Sequence, residues 1–238
     1  MKFKDTVHDL DSSKDTWELL YCKIYREFFS SIFNFEELDD SETSAKCKRW
    51  YIKIDENKQP ELKKKYPKFK VAGDCDFNFN DKKVRLFEKF LLKEDMELLK
   101  VCHDNHHELW NFSFMPITGA MNNTKGCLRS IAAEIKDAVS YDRPDVLIYE
   151  LDNYYKNLPT RIFSKYNKEA LEWYLGNFSD VYEYCKEIYF IEDKGFVDEL
   201  ITSGQKPINS RETVLEYINL ANRFWDNKKE KLKKYGII

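Results

Sequence analysis

Turn-forming residues are scarce in this chain, and that scarcity limits the folds that are open to it. Glycine and proline contribute only 7 and 6 of the 238 residues, while 34% of the residues are charged. A sandwich or barrel of short strands needs many tight turns, whereas lysine, glutamate and leucine favour helices. No internal repeat or low-complexity linker divides the chain. We therefore predict a mainly α fold, a multi-helix single domain that spans residues 1–238.

Apolar residues recur at helical spacing through the last third of the chain. This spacing predicts one helix over residues 168–190, a short helix after Gly195 and a long final helix that starts at Ser210. The lysine-rich residues 228–234 at its end are expected to be exposed. The apolar face of the final helix is predicted to carry Val214, Tyr217, Ile218, Ala221, Phe224 and Trp225.

A further helix start is encoded by the sequence DRPD at residues 142–145. Asp142 would be the N-cap, because an aspartate side chain can accept the free N–H groups of a first helical turn. Pro144 would stand in that first turn, where its missing N–H costs nothing, and Asp145 would lie near the positive end of the helix dipole.

Two short segments have β character instead. Residues 49–54 are rich in aromatic and β-branched side chains, and residues 71–80 alternate between apolar and polar side chains. The sequence thus predicts a small β element near residues 49–54 and 71–80, with a polar loop over residues 36–44. In the alternating segment, one face would hold Cys75, Phe77 and Phe79, and the opposite face Asp74, Asp76, Asn78 and Asn80.

The most unusual stretch is residues 102–126, here called the central segment. It holds three of the four histidines and two of the seven glycines of the chain. Its second part, residues 109–126, interrupts the helical pattern and is predicted to be a loop. Polar loops placed between regular elements are where functional sites concentrate, so we expect a site here.

Two chemical interpretations of the central segment are weak. A zinc site would use Cys102, His103, His106 and His107, since residues three and four apart share one helix face. Structural zinc sites pair two ligand motifs, and only the single Cys127 follows nearby, so we assign no metal ligands. A phosphate loop at residues 119–126 is excluded, because the Gly-Lys-Ser/Thr ending that such loops require is missing.

A third interpretation is a nuclease of the HNH type. The sequence NFSFMP followed by a pair of asparagines resembles half of that motif. His103, His106 or His107 would then activate water beside a divalent cation, with Asn111 and Asn123 as supports. The acidic-His-Ile-x-Pro strand of the motif is missing, and the histidines lie too close to Asn111 to form the intervening hairpin. The nuclease is therefore kept as the alternative, and it is the interpretation that implies a metal cofactor.

The fourth interpretation is structural, and it is the one that we favour. Asn111, Asn122 and Asn123 would bond to the backbone of a buried turn, and Gly119 would supply a positive φ. The core would be filled by Trp110, Phe112, Phe114 and Met115.

The central segment also resembles an uncharacterised family of bacterial and phage proteins. The residues that carry the resemblance are LWNFSFMPITG at 109–119, NNTKG at 122–126 and DRPD at 142–145. The similarity extends through Phe178 to the helix that bears Phe224 and Trp225, so it covers most of the chain. The family implies no established activity, but its members belong to accessory genes. The resemblance thus implies a setting in bacterial defence or phage counter-defence.

The net charge of −3 gives no general attraction to nucleic acid, so any such binding must use a local patch. Residues 58–70 offer one candidate, in which lysines are interleaved with Tyr66 and Phe69. Runs of like charge are more often solvated surfaces. The lysines that could contact nucleic acid are Lys63, Lys64, Lys65, Lys68 and Lys70.

The six cysteines are scattered, and no two form a CxxC pair. No apolar run is long enough to cross a bilayer, so we expect a cytoplasmic protein with reduced thiols, no membrane contact and no cofactor. The function that we expect is a non-enzymatic protein-binding module or effector with a protein partner. The alternative is an HNH-like metal-dependent nuclease that acts on DNA or RNA.

Overall fold

A computed structural model describes residues 27–38, 49–67, 69–106, 108–116, 143–163, 168–236 and 238. These residues form a mainly helical fold around one antiparallel sheet. The predicted fold class is therefore confirmed, and both predicted β segments contribute strands. None of the helices in this described part combines the length and apolar composition needed to cross a bilayer.

The sheet contains four strands, which are hydrogen-bonded in their order along the chain. Its strands are β1 (Phe35–Leu38), β2 (Arg49–Ile52), β3 (Phe69–Cys75) and β4 (Phe112–Pro116). In the register, Phe35 pairs with Ile52 and Ile52 with Phe69, while Cys75 pairs with Phe112. The loop predictions for residues 36–44 and 109–126 are therefore wrong where β1 and β4 lie. Both outer strands are short, and the partner of β4 lies far earlier in the sequence.

Eight helices are defined in the described residues, and most of them follow the sheet. They are α1 (Pro60–Lys65), α2 (Asp81–Phe87), α3 (Met96–Asn105), α4 (Pro144–Tyr155), α5 (Lys168–Leu175), α6 (Val181–Tyr189), α7 (Lys194–Ser203) and α8 (Arg211–Lys234). Short 3-10 turns precede α3 and β4, at Lys93–Asp95 and Leu109–Asn111.

The long helix α8 forms as its sequence predicts. The Ser210 hydroxyl accepts the Thr213 N–H, and the Thr213 side chain in turn accepts the Ser210 N–H. This reciprocal pair of bonds satisfies two backbone donors at the start of the helix. The six apolar residues predicted to face inward are all buried. Their rings contact aromatic side chains near β3, since Phe77 lies 5.1 Å from both Tyr217 and Phe224.

The single helix predicted over residues 168–190 is instead two helices, α5 and α6. The break follows Leu175, and the side chain of Asp180 accepts the Glu183 N–H to start α6. The apolar spacing continues across the break, which is why periodicity alone suggested one helix. The end of α6 is unusual, because Phe190 has left-handed backbone angles of φ 60° and ψ 30°. A residue with a side chain adopts this conformation at a cost of about 1–2 kcal/mol.

The N-cap of α4 is Arg143, not the predicted Asp142, which lies outside the described residues. Asp145 does stand in the first turn, but it is fully buried beside the Arg143 guanidinium. Arg143 Nε and Nη2 donate to the two Asp145 carboxylate oxygens over 3.1 and 2.6 Å. The Ser203 hydroxyl donates to the same carboxylate, and Arg143 also donates to the Ser203 carbonyl. A paired buried charge thus joins the start of α4 to the end of α7.

The close approach of these two helices requires glycine at position 204. A Cβ built on Gly204 would lie 2.3 Å from the Asp145 backbone oxygen and 2.9 Å from the Tyr149 Cβ. No side-chain rotation could relieve the first contact, because the opposing atom belongs to the backbone.

We therefore expect Gly204→Ala to lower the free energy of unfolding by about 1–3 kcal/mol, the usual cost of overpacking. Helix propensity acts in the opposite direction, since alanine is the better helix former. Urea denaturation of the variant and of Gly195→Ala would separate the two effects. The Gly195 Cβ would meet only the Asp193 side chain, at 3.2 Å. Equal stability changes in the two variants would contradict the close-contact argument.

Candidate functional site

The central segment begins with the last turn of α3 and continues into a 3-10 turn and β4. Residues 112–116 are paired along β3, so this part is scaffold and not a surface loop. His107, Gly119, Asn122, Asn123 and Cys127 lie outside the described residues. The predicted site can therefore be assessed at Cys102, His103, His106 and Asn111.

Asn111 is fully buried, and its side-chain amide is completely hydrogen-bonded. The Oδ1 atom accepts the Phe77 N–H over 2.9 Å and the Trp225 indole N–H over 2.7 Å. The Nδ2 group donates to the carbonyl oxygens of Phe77 and His106, each over 2.8 Å. A primary amide offers two donors and two acceptor positions, and all of them are used here. Asn111 thus joins three separate segments of the chain, as the structural interpretation predicts.

His106 is also buried, with 1% of its surface exposed. Its Nδ1 lies 3.3 Å from both the Phe77 carbonyl oxygen and the Phe79 nitrogen. The ring can donate to the first or accept from the second, according to its tautomer. In either case His106 fixes the turn that follows β3, and this burial does not fit a base that activates solvent water.

His103 is three residues earlier on α3, yet its surroundings differ from those of His106. Its ring is exposed, and Nε2 lies 2.9 Å from an Asp81 carboxylate oxygen. Cys102 is buried, its Sγ lies 3.9 Å from the Asn222 amide, and burial raises the pKa of its thiol to about 12. The described part of the proposed zinc set is therefore not brought together. Across the described residues, no group of three His, Cys, Asp or Glu side chains is arranged to hold a metal ion.

A buried charged cluster connects α8 to the sheet, and the sequence analysis did not predict it. Asp76, Ser113 and Lys228 are each fully buried. Lys228 Nζ lies 2.5 Å from Asp76 Oδ2 and 2.7 Å from the Phe112 carbonyl oxygen, and it also donates to the Ser113 hydroxyl. Ser113 completes the triangle by donating to Asp76 Oδ2 over 2.9 Å. Burial lowers the pKa of Lys228, while the Asp76 carboxylate opposes that shift.

Two predictions fail at this cluster. Lys228 was expected in an exposed basic run, and Asp76 on the polar face of an alternating strand. The strand ends at Cys75, so the alternation no longer determines where Asp76 points. A helical signal for Lys228 was present, because it lies four residues after Phe224 and three after Trp225, on the apolar face of α8.

The basic stretch at residues 58–70 is partly neutralised. Lys63 Nζ donates to the Pro67 carbonyl just after α1, and Lys65 Nζ lies 2.5 Å from a Glu169 carboxylate oxygen on α5. A lysine that is paired with a carboxylate contributes less to attracting phosphates. Of the remaining lysines, Lys64 is exposed, Lys68 lies outside the described residues, and Lys70 stands on β3 with its side chain outside them.

We expect Asn111→Ala to lower the free energy of unfolding by about 1–3 kcal/mol, because it leaves buried backbone groups and the Trp225 indole without a partner. Asn227→Ala is the matched control, since within the described residues the Asn227 amide donates to its own helix at Arg223 and to no other segment. Thermal and urea unfolding of both variants would measure the difference. An Asn111→Ala protein with unchanged stability and a lost activity would mean that Asn111 belongs to an active site instead.

Comparison with known proteins identifies no relative of this chain. No family model, no curated protein and no solved structure matches it.

Proposed function

We propose that this protein is a non-enzymatic protein-binding module, and that it docks its partner on the exposed side of α3. The observation that carries this proposal is a pair of large apolar side chains one helical turn apart. Leu98 and Val101 are 48% and 41% exposed. We call this pair the α3 strip. Residues three apart on a helix are surface neighbours, so the two side chains form one apolar surface.

The exposed apolar residues are not scattered evenly. Five large apolar side chains are exposed among the described residues, and Leu92, Leu98 and Val101 lie within ten positions of each other. Single exposed apolar residues are normal on a protein surface, whereas grouped ones mark interaction sites. Beyond the end of α3, the half-buried Trp110 donates its indole N–H to Asn105 on the last turn of the helix over 2.7 Å.

Carboxylates surround the α3 strip and indicate what kind of partner would fit it. Glu97 lies one turn before Val101, and Asp104 lies one turn after it. Both side chains are exposed, and their basic neighbours make only long contacts, with Lys100 Nζ 3.8 Å from Glu97 and His103 Nδ1 3.9 Å from Asp104. Such exposed pairs are weak, so the carboxylates remain able to attract an incoming cation. We infer that the partner presents an amphipathic helix with apolar and basic side chains.

The nuclease alternative receives less support from the described residues. His106 and Asn111 are used in packing the core, which leaves the exposed His103 as the described candidate for a catalytic base. The resemblance of the central segment to accessory bacterial and phage proteins is the reason for placing the proposed binding role in defence or counter-defence.

The test is to identify the partner by photo-crosslinking from position 98 in host cells and then to measure its affinity in purified form. Leu98→Ser and Val101→Ser should each weaken binding about fivefold or more, as loss of a central apolar contact usually does. Leu158→Ser is the control, because Leu158 is 51% exposed but lies after α4. Binding should also weaken as salt is raised, since exposed carboxylates take part.

Equal effects of the three substitutions on affinity would reject the α3 strip as the docking surface. A partner contact without basic residues would reject the inferred chemistry. Magnesium- or manganese-dependent cleavage of plasmid DNA that His103→Ala abolishes would replace the binding role by the nuclease.

A further inference from the structure

A second surface feature, separate from the α3 strip, is a cleft of about 540 Å³ at the end of α8. It lies between the first described residues of the chain, the end of α6 and the last turn of α8. We call it the C-terminal cleft. Three aromatic rings and three charged groups line it, namely Phe28, Phe190, Tyr235, Glu27, Glu187 and Lys231, together with the Ser31 side chain.

The aromatic rings of the C-terminal cleft are arranged edge to face. The Phe28 ring lies 5.4 Å from Phe190 and 4.8 Å from Tyr235, in both cases near a perpendicular angle. The Phe190 ring is fixed by the left-handed backbone at the end of α6, a conformation that a glycine would adopt without strain. The chain thus keeps a strained phenylalanine at a helix end where its ring forms a wall of the cleft.

The ammonium group of a lysine already lies against these rings in the structure. Lys231 Nζ lies 5.4 Å from the Phe190 ring centre and 5.5 Å from that of Tyr235. Both distances are within the range in which a ring face attracts a cation. Lys231 forms no ion pair with a carboxylate in the described part of the chain, so the rings are its main partners.

The charges around the C-terminal cleft also favour a cation. Glu27 and Glu187 supply two carboxylates, although Glu187 lies 3.3 Å from the Lys186 ammonium on the same helix. The carboxyl ends of α6 and α8 both border the cleft, and the carbonyl groups at a helix end carry a partial negative charge. All of these negative groups would repel an anionic ligand. Among the described residues that line the cleft, Lys231 is the one with a positive charge.

We propose that the C-terminal cleft binds a small organic cation of the alkylammonium class, and that Lys231 is an internal occupant that this ligand displaces. The lysine stem is flexible and its ammonium can move into solvent, which frees the ring faces for the ligand. A diamine suits the site, because one ammonium would lie between the rings while the second reaches Glu27 or Glu187.

Whether removal of the Lys231 charge strengthens or weakens ligand binding tests this assignment. Isothermal titration calorimetry with putrescine should detect binding to the wild-type protein, and Lys231→Gln should strengthen that binding about two- to fivefold by removing the competing ammonium. Lys229→Gln is the control, since Lys229 lies over the Trp110 ring on another side of α8. Glu187→Gln should weaken binding about two- to fivefold, while Glu192→Gln, whose side chain does not line the cleft, should leave it unchanged.

Weaker putrescine binding by Lys231→Gln would overturn the proposal, because Lys231 would then assist the ligand and not compete with it. Acetate binding that Lys231→Gln abolishes would assign the cleft to anions. The absence of any putrescine signal from both the wild-type protein and Lys231→Gln, with melting temperatures showing that both are folded, would also reject the site.

Discussion

The ion pair between Lys228 and Asp76 is the contact on which the arrangement of α8 and the sheet depends. Lys228 stands near the end of the longest helix, and Asp76 directly follows β3. The ammonium also donates to Ser113 and to the Phe112 carbonyl, so it connects α8 to the outer strand β4 as well as to the end of β3. A buried ion pair adds little net stability, but a wrong arrangement would leave a buried charge unpaired. The pair therefore selects one placement of α8 over others.

Asn111 adds a second connection between α8 and the residues around the sheet, one helical turn before Lys228. Its amide holds the turn after β3, the end of α3 and the Trp225 indole, all through buried bonds. Together with the cluster at Lys228 it makes the described central segment the junction of sheet and helices. Histidines and asparagines in such a position satisfy backbone groups that would otherwise be buried without partners. This explains why residues with a catalytic appearance in the sequence are part of the scaffold in the structure.

Local signals in the sequence were sufficient for much of the helical framework. The start of α8 follows from the Ser210 cap, and its buried face follows from apolar spacing. Features that depend on distant partners were missed. β4 needed its pairing with β3, and Lys228 was hidden in a run of lysines. The break after Leu175 was also missed, although its Asp180 cap is a local signal. For the site, the structural interpretation named Asn111, whose amide bonds buried backbone groups, but exposure of Leu98 and Val101 depends on which side of α3 meets the core. Periodicity cannot determine that side in a helix this short.

The described part of the chain has a closely packed interior and two separate surfaces with different chemistry. The α3 strip is apolar with acidic surroundings, and the C-terminal cleft is aromatic and holds a lysine. Both surfaces border elements that the buried polar contacts fix in place, since α3 joins through His106 and Asn111, and α8 through Lys228. Binding at either surface would therefore require little reordering of the protein, which lowers the entropic cost of association.

The most direct test of this account is the stability of Lys228→Met, compared with Lys229→Met one position later on the same helix. Removing the buried ammonium leaves Asp76 as an unpaired buried carboxylate, so urea unfolding should show a loss of about 3–5 kcal/mol. The substitution at the half-buried Lys229 should change stability by less than about 0.5 kcal/mol. The double variant Asp76→Asn/Lys228→Met should recover part of the loss, because the uncompensated charge is gone. Equal stability of the two single variants would contradict the claim that this ion pair determines how α8 meets the sheet.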